Sequence, residues 1–299
     1  MLFDSIIIGG GPAGLTCAIY LARANKKVLV VEKMAIGGQV SEIAEIENYP
    51  GFSSISGQDL SMKFYEQAVK FGVQFAFGEA DNLVLDEQIK TIQVGSKTYE
   101  AKSIVLAIGS KARRLNVPNE NKYIGKGISY CATCDGNFFK NKTVAVVGSG
   151  DSAISYAEYL SSIAKKVYIF SKYDKLKLKN AQLEEISSFE NIEILPKVKV
   201  VEVMGEEQIQ KVKLESNGEN KELQLEGLFV SIGREPETDF LDNKIELDEK
   251  GYIKVDSEQR TNIEGVFACG DIVSGSTKQI VTACSSGAIV STSILKYVK

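Results

Sequence analysis

Two segments of the chain repeat one pattern of apolar and polar positions. Each has a short apolar run, a glycine-rich turn, a helical stretch and a second apolar run. In the first segment, Ile6–Ile8 precedes the turn, Leu15–Ala24 has helical character and Val28–Val31 follows. In the second segment, the apolar runs are Thr143–Val147 and Val167–Phe170. Apolar runs joined through a helix are typical of parallel strands, so the pattern predicts two strand–helix–strand units.

Short strand-like pieces without a helical period lie between the two units and after the second. They are rich in Val, Ile and Tyr and are separated by turn residues such as Gly95. The pieces are Lys90–Val94, Lys97–Tyr99 and Ile104–Ala107 between the units, and Ile192–Leu195, Lys199–Val203 and Gln210–Glu215 after the second. Such pieces resemble the β-meanders that often cross over in doubly wound domains.

The end of the chain holds a strand pattern, Val266–Ala268, then Gly270 and Asp271, a Gly/Ser loop and a final helix. This stretch is too short to form a domain, so it is expected to complete the first one. The second unit is then an insertion.

We therefore expect an α/β fold with two Rossmann-like, three-layer dinucleotide-binding domains, the second inserted into the first. The joints are expected near Arg113–Pro118 and Glu237–Asn243. The expected domains are residues 1–113 together with 244–299, and residues 114–243.

The first glycine turn reads Gly9-x-Gly11-x-x-Gly14. The first glycine allows a tight turn, the second lets the backbone approach a pyrophosphate, and the third lets helix and strand pack closely. Glu32 ends the second strand and can accept hydrogen bonds from ribose hydroxyls. A plain glycine turn is the alternative, but the strand, helix, second strand and acid all stand in their expected places.

The second turn reads Gly148-x-Gly150-x-x-Ala153 and keeps the spacing of the first, because Gly148 precedes Ser171 as Gly9 precedes Glu32. Two dinucleotide sites in one chain suggest electron transfer between two dinucleotides.

The second unit lacks the acid at the end of its second strand. Ser171 stands there, and the lysines that follow are Lys172, Lys175, Lys177 and Lys179. A ribose 2′-phosphate would meet no repelling carboxylate and could bind these lysines, which favours NADP over NAD. The alternative is that the lysines are a solvated surface.

Composition narrows the functional classes. The chain has 299 residues, of which 44% are hydrophobic and 25% charged, with a formal net charge of −4, so nothing indicates a nucleic-acid partner. No basic and apolar leader precedes the first strand, and no apolar run of about 18 residues suggests a membrane span. Five cysteines in such a chain favour a reducing, cytoplasmic setting over a secreted disulfide framework.

Cys131 and Cys134 form a Cys-x-x-Cys pair for which three interpretations compete. A zinc site needs two further ligands, but Cys17, Cys269 and Cys284 are isolated and the chain has no histidine. A static disulfide does not suit a reducing compartment. A redox-active pair beside a nucleotide-binding unit fits best, with no metal.

Five stretches together carry a family resemblance: "GGGPAG", "GGQV…IENYPG", "YCATCDG", "VAVVGSGDSA" and "VFACGDI…KQIVTA". On these, the chain resembles the low-molecular-weight, bacterial-type thioredoxin reductases, which are FAD-dependent pyridine nucleotide-disulfide oxidoreductases. Related flavin reductases of the ferredoxin–NADP type lack the Cys-Ala-Thr-Cys-Asp stretch.

The resemblance implies an FAD-binding domain of residues 1–113 and 244–299. It also implies an NAD(P)H-binding domain of residues 114–243, which carries the redox-active Cys pair and takes NADPH or NADH. The implied FAD-binding residues are Gly9, Gly11, Pro12, Ala13, Gly14, Glu32, Lys33, Gly38, Gln39, Asn48, Gly109, Gly270, Asp271, Lys278, Gln279 and Ile280. The implied NADP-binding residues are Gly148, Gly150, Asp151, Ser152, Ala153, Ser171, Lys172 and Lys177.

One departure leaves the electron donor open. NADPH-using members carry His-Arg-Arg, three residues and then Arg, whereas the matching residues here are Ser171, Lys172, Tyr173 and Lys177. Lysine lacks the planar fork of arginine, so NADH is an alternative donor. Some family members take electrons from ferredoxin instead, although the retained Gly148-x-Gly150 turn argues against this.

The resemblance also implies a mechanism. A nicotinamide reduces FAD, FAD reduces the disulfide through Cys134, and Cys131 attacks the disulfide of thioredoxin or a glutaredoxin-like protein. Without histidine, Asp135 is the candidate proton donor, since partial burial would raise its pKa. The alternative is that Asp135 only caps a helix.

The same reasoning gives several expectations for the whole molecule. The pair must reach both flavin and an external partner, so the inserted domain is expected to rotate. A homodimer in the cytoplasm is expected, without membrane or nucleic-acid partners. Alternative functions are the same chemistry with ferredoxin as donor, a flavoprotein regulator, or a dithiol oxidase that uses oxygen.

Overall fold

The structure, a computed structural model, describes residues 1–43, 45–174, 176, 186, 188–242 and 244–298. These residues form two compact units. Unit 1 is Met1–Lys111 with Glu235–Lys299, and unit 2 is Ala112–Arg234.

The chain returns to unit 1 earlier than the expected boundary at residues 243 and 244. Glu237 forms ion pairs with Lys33 and Lys111 of unit 1. Leu241 packs in the core of the same unit. These contacts attach the segment after Arg234 to unit 1.

The described elements follow in chain order. The strands are β1 (Leu2–Ile8), β2 (Val28–Glu32), β3 (Gln74–Phe77), β4 (Ala80–Val84), β5 (Lys90–Val94), β6 (Lys97–Leu106), β7 (Ser110–Ala112), β8 (Ile128–Ser129), β9 (Thr143–Val147), β10 (Lys166–Phe170), β11 (Ile192–Leu195), β12 (Lys199–Gly205), β13 (Ile209–Ser216), β14 (Glu219–Gln224), β15 (Gly227–Val230), β16 (Arg234–Pro236) and β17 (Val266–Ala268). The α-helices are α1 (Pro12–Arg23), α2 (Gly57–Lys70), α3 (Glu120–Tyr123), α4 (Ala132–Asp135), α5 (Asp151–Ser161) and α6 (Ile280–Tyr297). Short 3₁₀ helices are Gly38–Glu42, Gly136–Phe139, Asp239–Leu241 and Gly270–Ile272.

In unit 1 the described strands form one sheet in the order β3-β2-β1-β6-β5-β4, with β17 also paired to β6. The strands β3, β2, β1, β6 and β17 run parallel, whereas β4 and β5 pair antiparallel. Tail strand β17 therefore completes the sheet that β1 begins, as the sequence predicted.

The apolar run of β1 is continuous because both of its faces are covered. Ile6 and Ile8 point into one core with Leu29. Ile7 points into the opposite core with Val30, on the side of α1 and α6. When both faces of a strand are buried, apolar residues follow one another without the usual alternation of apolar and polar positions. This is expected for a parallel sheet that lies between helices.

Unit 2 repeats this arrangement at smaller size. Its described strands form a parallel sheet in the order β11-β10-β9-β15-β8, and β12, β13 and β14 form an antiparallel meander. The expected α/β class is confirmed. The strands β7 and β16 pair with each other where the chain passes between the units.

Helix α6 packs on α1 in unit 1, and 28% of its 18 residues are buried. By length and composition it is also the one described helix that could cross a membrane, with a mean hydropathy of 1.2 over 18 residues. The apolar pattern of the sequence did not indicate such a segment. Its inner face packs on α1, where a Cβ on Gly287 would stand 2.2 Å from the carbonyl oxygen of Ala13. Val290 and Ile294 are fully buried beside it.

Candidate active site

The first glycine turn is closed by backbone contacts that leave no room for side chains. Gly9 has φ +111°, and a Cβ there would lie 2.3 Å from the carbonyl oxygen of Ala107. A Cβ on Gly14 would lie 2.0 Å from the carbonyl oxygen of Gly9. At Gly11 the space is open, since a Cβ would come no closer than 3.9 Å to Gly37. The turn therefore leaves no room for a side chain at Gly9 and Gly14, where it packs on the protein. At Gly11, its outer edge, it leaves open space beside the backbone.

The start of α1 faces this bare edge. Gly11 is its N-cap and offers no side-chain hydrogen bond, and Pro12 occupies the first turn. The backbone N–H groups of a helix start carry partial positive charge and suit a phosphate group.

Glu32 is buried and binds the turn through both carboxylate oxygens. The backbone N–H of Gly10 donates to Oε2 at 2.7 Å, and that of Met34 donates to Oε1 at 2.8 Å. Each oxygen keeps a lone pair for a ribose hydroxyl. Lys33 points elsewhere, because its Nζ pairs with Glu237 at 2.9 Å, and this carboxylate raises the pKa of Lys33.

A second glycine-rich segment lies beside the turn. A Cβ on Gly38, at φ +54°, would stand 3.7 Å from the Cα of Gly11. Gln39 donates from Nε2 to the carbonyl oxygen of Ser110, and a Cβ on Gly109 would lie 3.8 Å from the same Nε2. The fold therefore brings three separate predicted site segments together at the start of α1.

Residues from the end of the chain, Gly270 and Gln279, also belong to this region around the start of α1. A Cβ on Gly270 would lie 2.8 Å from the Cβ of Ala13. The backbone N–H of Gly270 donates to Ser286 Oγ at 2.8 Å. Gln279 is the N-cap residue of α6 and accepts a hydrogen bond from Asn48 Nδ2 at 3.2 Å.

Lys278 and Asp271 are held together in the tail loop, beside Ile280 at the start of α6. Lys278 Nζ donates to the backbone oxygen of Asp271 and lies 4.4 Å from the ring centre of Tyr252. Apart from Lys33, the predicted FAD-binding residues of unit 1 described above thus lie around the glycine turn and the two helix starts. This bare backbone cradle, which a Cβ would fill, fits a dinucleotide pyrophosphate.

Unit 2 repeats the tight and open edges of the turn. A Cβ on Gly148 would lie 2.4 Å from the carbonyl oxygen of Ser231 and 2.7 Å from the Cβ of Ala153. A Cβ on Gly150, the N-cap residue of α5, would contact no other described residue within 4 Å. Asp151 and Ser152 form the first turn of α5, beside this open edge.

Ser171 is buried and makes a local turn instead of offering a carboxylate. Its Oγ accepts from the N–H of Tyr173 at 3.1 Å and lies 3.1 Å from the Tyr173 carbonyl oxygen. Lys172 is exposed, with Nζ 5.1 Å from the Tyr173 ring centre. Lys175, Lys177 and Lys179 lie outside the described residues.

Cys131 and Cys134 form a disulfide at the start of α4. Cys131 is the N-cap residue of this helix, and its carbonyl oxygen accepts from the N–H groups of Cys134 at 3.3 Å and Asp135 at 3.1 Å. Both cysteines are half-buried, so the bridge lies at the surface of unit 2.

Asp135 ends α4, and its Oδ2 accepts a hydrogen bond from Ser129 Oγ at 2.6 Å. Burial raises the pKa of Asp135, and the Ser129 hydrogen bond lowers it by a smaller amount. Its side chain caps neither α4 nor the 3₁₀ helix after it. The structure therefore contradicts the helix-cap alternative for Asp135.

Three further polar residues near the pair, Glu120, Tyr130 and Tyr156, were not indicated by the sequence pattern. Glu120 is 3% exposed and accepts from Tyr130 Oη at 2.7 Å. Tyr156 Oη on α5 donates to the Tyr130 carbonyl oxygen at 3.1 Å. These contacts join residues far apart in sequence, and no local pattern indicated them.

The remaining cysteines are free thiols. Cys17 and Cys269 are fully buried, and burial raises the pKa of both. Cys284 is half-buried near Tyr49, and burial raises the pKa of its thiol as well. Thiols that resist ionisation are poor nucleophiles, so these three cysteines are weak candidates for sulfur chemistry.

Known proteins are similar to this chain over nearly its whole length. The family model described as "Pyridine nucleotide-disulphide oxidoreductase" matches residues 3–287. A thioredoxin reductase of Listeria innocua is 41% identical over 302 residues, which cover 100% of this chain and 94% of that protein. One of Bacillus subtilis is 39% identical, with 100% and 95% covered. The crystal structure of thioredoxin reductase from Streptococcus pyogenes gives a TM-score of 0.93 at 37% identity, covering 99% of this chain and 98% of that one.

Proposed function

Because the chain belongs to the pyridine nucleotide-disulphide oxidoreductase family, and within it to the thioredoxin reductases, we propose that it carries electrons from NAD(P)H through FAD and Cys131–Cys134 to thioredoxin. It is a flavin-dependent disulfide reductase that uses a flavin and a nicotinamide cofactor. The choice of FAD and NADPH, and the residue roles that follow, are our proposal.

The residues of unit 1 suit FAD. When bound, the flavin accepts two electrons from the nicotinamide and makes them available to the disulfide. Gly11 and the start of α1 would hold the pyrophosphate, since the first N–H groups of a helix have no hydrogen-bond partner within the helix. Glu32 would accept from the adenosine ribose, and Asn48 and Gln279 would orient the ring end.

Unit 2 would hold the nicotinamide dinucleotide at Gly150 and the start of α5. Ser171 has no carboxylate to repel a 2′-phosphate, and the exposed Lys172 could attract one. We therefore propose NADPH as the donor. NADH is the alternative, since no arginine fork stands at Ser171 or Lys172.

The exchange with thioredoxin uses the reduced pair. The Cys131 thiolate attacks the thioredoxin disulfide, forms a mixed disulfide and releases one thioredoxin thiolate. Cys134 then attacks the mixed disulfide, which re-forms Cys131–Cys134 and releases the second thiolate. Asp135 would supply a proton to a leaving thiolate, because its carboxyl holds a proton to higher pH than an exposed aspartate.

The observation that carries this proposal is the Cys131–Cys134 bridge with a partly buried, hydrogen-bonded carboxyl directly after it. The test is reduction of thioredoxin by the purified holoenzyme. Cys134→Ser should abolish thiol output, and Cys284→Ser, a free thiol outside the pair, should retain it. Full output from Cys134→Ser would exclude the proposed route.

Anaerobic mixing with NADPH or NADH tests the donor. Bleaching of the flavin by NADPH at lower concentration than NADH supports the proposed specificity. Bleaching by neither, with full activity from reduced ferredoxin, would assign the alternative donor. Steady peroxide production in place of thiol output would indicate an oxidase.

The homodimer, the cytoplasmic location and the rotation of the inserted domain stay predictions from the sequence. A crosslink that fixes the two units relative to each other should stop turnover with thioredoxin. Unchanged turnover after complete crosslinking would contradict the rotation.

A further inference from the structure

We propose that Ser129 is a positioning residue that sets the orientation and proton affinity of Asp135 for thiol exchange. This role rests on the proposed function, because it requires Asp135 to deliver a proton. Ser129 lies two residues before Cys131 and six before Asp135, outside the Cys-x-x-Cys-Asp stretch.

The hydroxyl of Ser129 joins the two groups that must act together. It donates to Asp135 Oδ2 at 2.6 Å and accepts from the backbone N–H of Cys131 at 3.0 Å. Its oxygen also lies 3.3 Å from the Cys131 carbonyl oxygen. A hydroxyl has one hydrogen, and the shorter, charge-assisted bond to the carboxylate takes it. The proton donor is thereby tied to the backbone of the attacking cysteine.

Ser129 is well placed to hold this geometry. It is 5% exposed and stands in β8, where it pairs in register with Phe229 of β15. Asp135 stands at the end of a single-turn helix, which has little rigidity of its own. A hydroxyl fixed on a sheet strand therefore orients a carboxylate on a short helix.

The bond also affects the proton affinity of the carboxyl. Burial raises the pKa of Asp135, and the hydroxyl of Ser129 opposes this because it stabilises the ionised form. Tyr156 on α5 faces Asp135, and Arg234 acts on that phenol. These two groups are unchanged when Ser129 is replaced, so the change in Asp135 belongs to the lost hydroxyl.

The test compares Ser129→Ala with the wild type in two measurements. The first is the pH dependence of kcat for thioredoxin reduction by the holoenzyme. Activity that needs protonated Asp135 falls as pH rises through its pKa, so loss of the stabilising donor should move this fall upward by about one pH unit. Loss of orientation should lower kcat by about tenfold, less than the effect of Asp135→Asn.

The second measurement is infrared titration of the oxidised holoenzyme, which reads carboxyl protonation without turnover. The band that Asp135→Asn removes should titrate at higher pH in Ser129→Ala. Ser129→Thr keeps a hydroxyl and should restore both values toward the wild type. Ser161→Ala, which removes a hydroxyl bonded to the Glu158 carbonyl oxygen in α5, is the control and should change neither.

The outcomes separate this proposal from the function it rests on. If Ser129→Ala leaves both titrations unchanged while Asp135→Asn loses activity, Ser129 has no positioning role and the proposed function stands. If Asp135→Asn keeps the wild-type rate and pH profile, Asp135 is not the proton donor and the role of Ser129 is overturned with it.

Discussion

At the scale of single residues, the region of the disulfide is held by buried polar groups that satisfy one another. Glu120 accepts from the N–H groups of Leu115 at 2.9 Å and Asn116 at 2.7 Å, and from Tyr130 Oη. One carboxylate thus ties the entry segment of unit 2 to the residue before Cys131. Removing one member of such a set leaves buried donors without an acceptor, which is more costly than the bond itself is worth.

Glu120→Gln is therefore expected to lower the free energy of unfolding by about 2–3 kcal/mol. An amide has a single acceptor oxygen, so at least one of the three donors loses its partner. Urea unfolding followed by circular dichroism measures the change. Glu219→Gln, at an exposed position of β14, is the matched control and should shift stability by less than about 0.5 kcal/mol. An equal loss in both variants would contradict a special role for Glu120.

Asp135 is expected to lower the stability of the protein at neutral pH. Its folded pKa is raised above the ordinary 3.8, so ionisation favours the unfolded chain as pH rises above that value. Asp135→Asn should therefore unfold at higher urea concentration than the wild type at pH 7. The difference should shrink as pH falls toward 3.8, where the unfolded carboxyl also binds a proton. Asp81→Asn, at an exposed strand position, is the control, and a pH-independent difference at Asp135 would contradict the explanation.

At the scale of elements, the two glycines that begin each turn differ in their surroundings. The first packs closely on the backbone of a neighbouring strand or loop, and the second faces open space. Gly148 packs against the backbone at Ser231, whereas a Cβ on Gly150 would lie within 4 Å of none of the other residues that the structure describes. Gly9 and Gly11 differ in the same way in unit 1. The inner glycine therefore serves the strand-to-helix packing, and the outer one leaves room for a ligand.

Substitution of the two glycines in unit 2 should separate these roles. Gly148→Ala should lower stability by about 1–3 kcal/mol, because its Cβ would stand 2.4 Å from the Ser231 carbonyl oxygen. Gly150→Ala, at φ −107°, should leave stability nearly unchanged and raise the KM for the nicotinamide. Thermal unfolding and steady-state kinetics measure the two effects. Equal stability losses would show that the outer edge is not open.

At the scale of the whole molecule, the chain leaves and re-enters unit 1 at one place. The strands Ser110–Ala112 and Arg234–Pro236 pair, and the N–H of Arg113 donates to the Gly233 carbonyl oxygen at 3.0 Å. Unit 1 also has its own sheet and two cores, one on each face. The two ends of the inserted unit are therefore adjacent, and a short linker can replace it.

Replacing residues 113–233 with a short Gly-Ser linker should leave a folded unit 1. This protein should bind FAD, since the predicted residues for that cofactor all lie in unit 1. It should show no thiol output, because the disulfide pair is removed. Flavin absorbance after gel filtration and the thioredoxin assay measure both. A colourless but folded product would contradict the proposed location of the flavin site.

The sequence by itself determined the repeated strand–glycine–helix–strand unit, the family and the cysteine pair that forms the disulfide. These features depend on neighbours close in the chain: the apolar run of Ile6–Ile8, the spacing of Gly9 and Gly11, and the Cys131–Cys134 pair. Local sterics and burial act over such distances, so their pattern is visible in the sequence. Helix α1 nevertheless begins at Pro12, three residues before the predicted start, because proline suits the first turn.

Only the tertiary structure decided which polar groups meet. The pairing of Ser129 with Asp135 and of Glu120 with Tyr130 depends on how β8 lies beside β15 and where α3 and α4 sit in unit 2. The early return of the chain to unit 1 likewise depends on Glu237 reaching lysines far away in sequence. Such contacts follow from sheet register and packing, which a local residue pattern does not encode. The hydrogen bonds that position the polar groups of the candidate site are therefore decided only in the folded molecule.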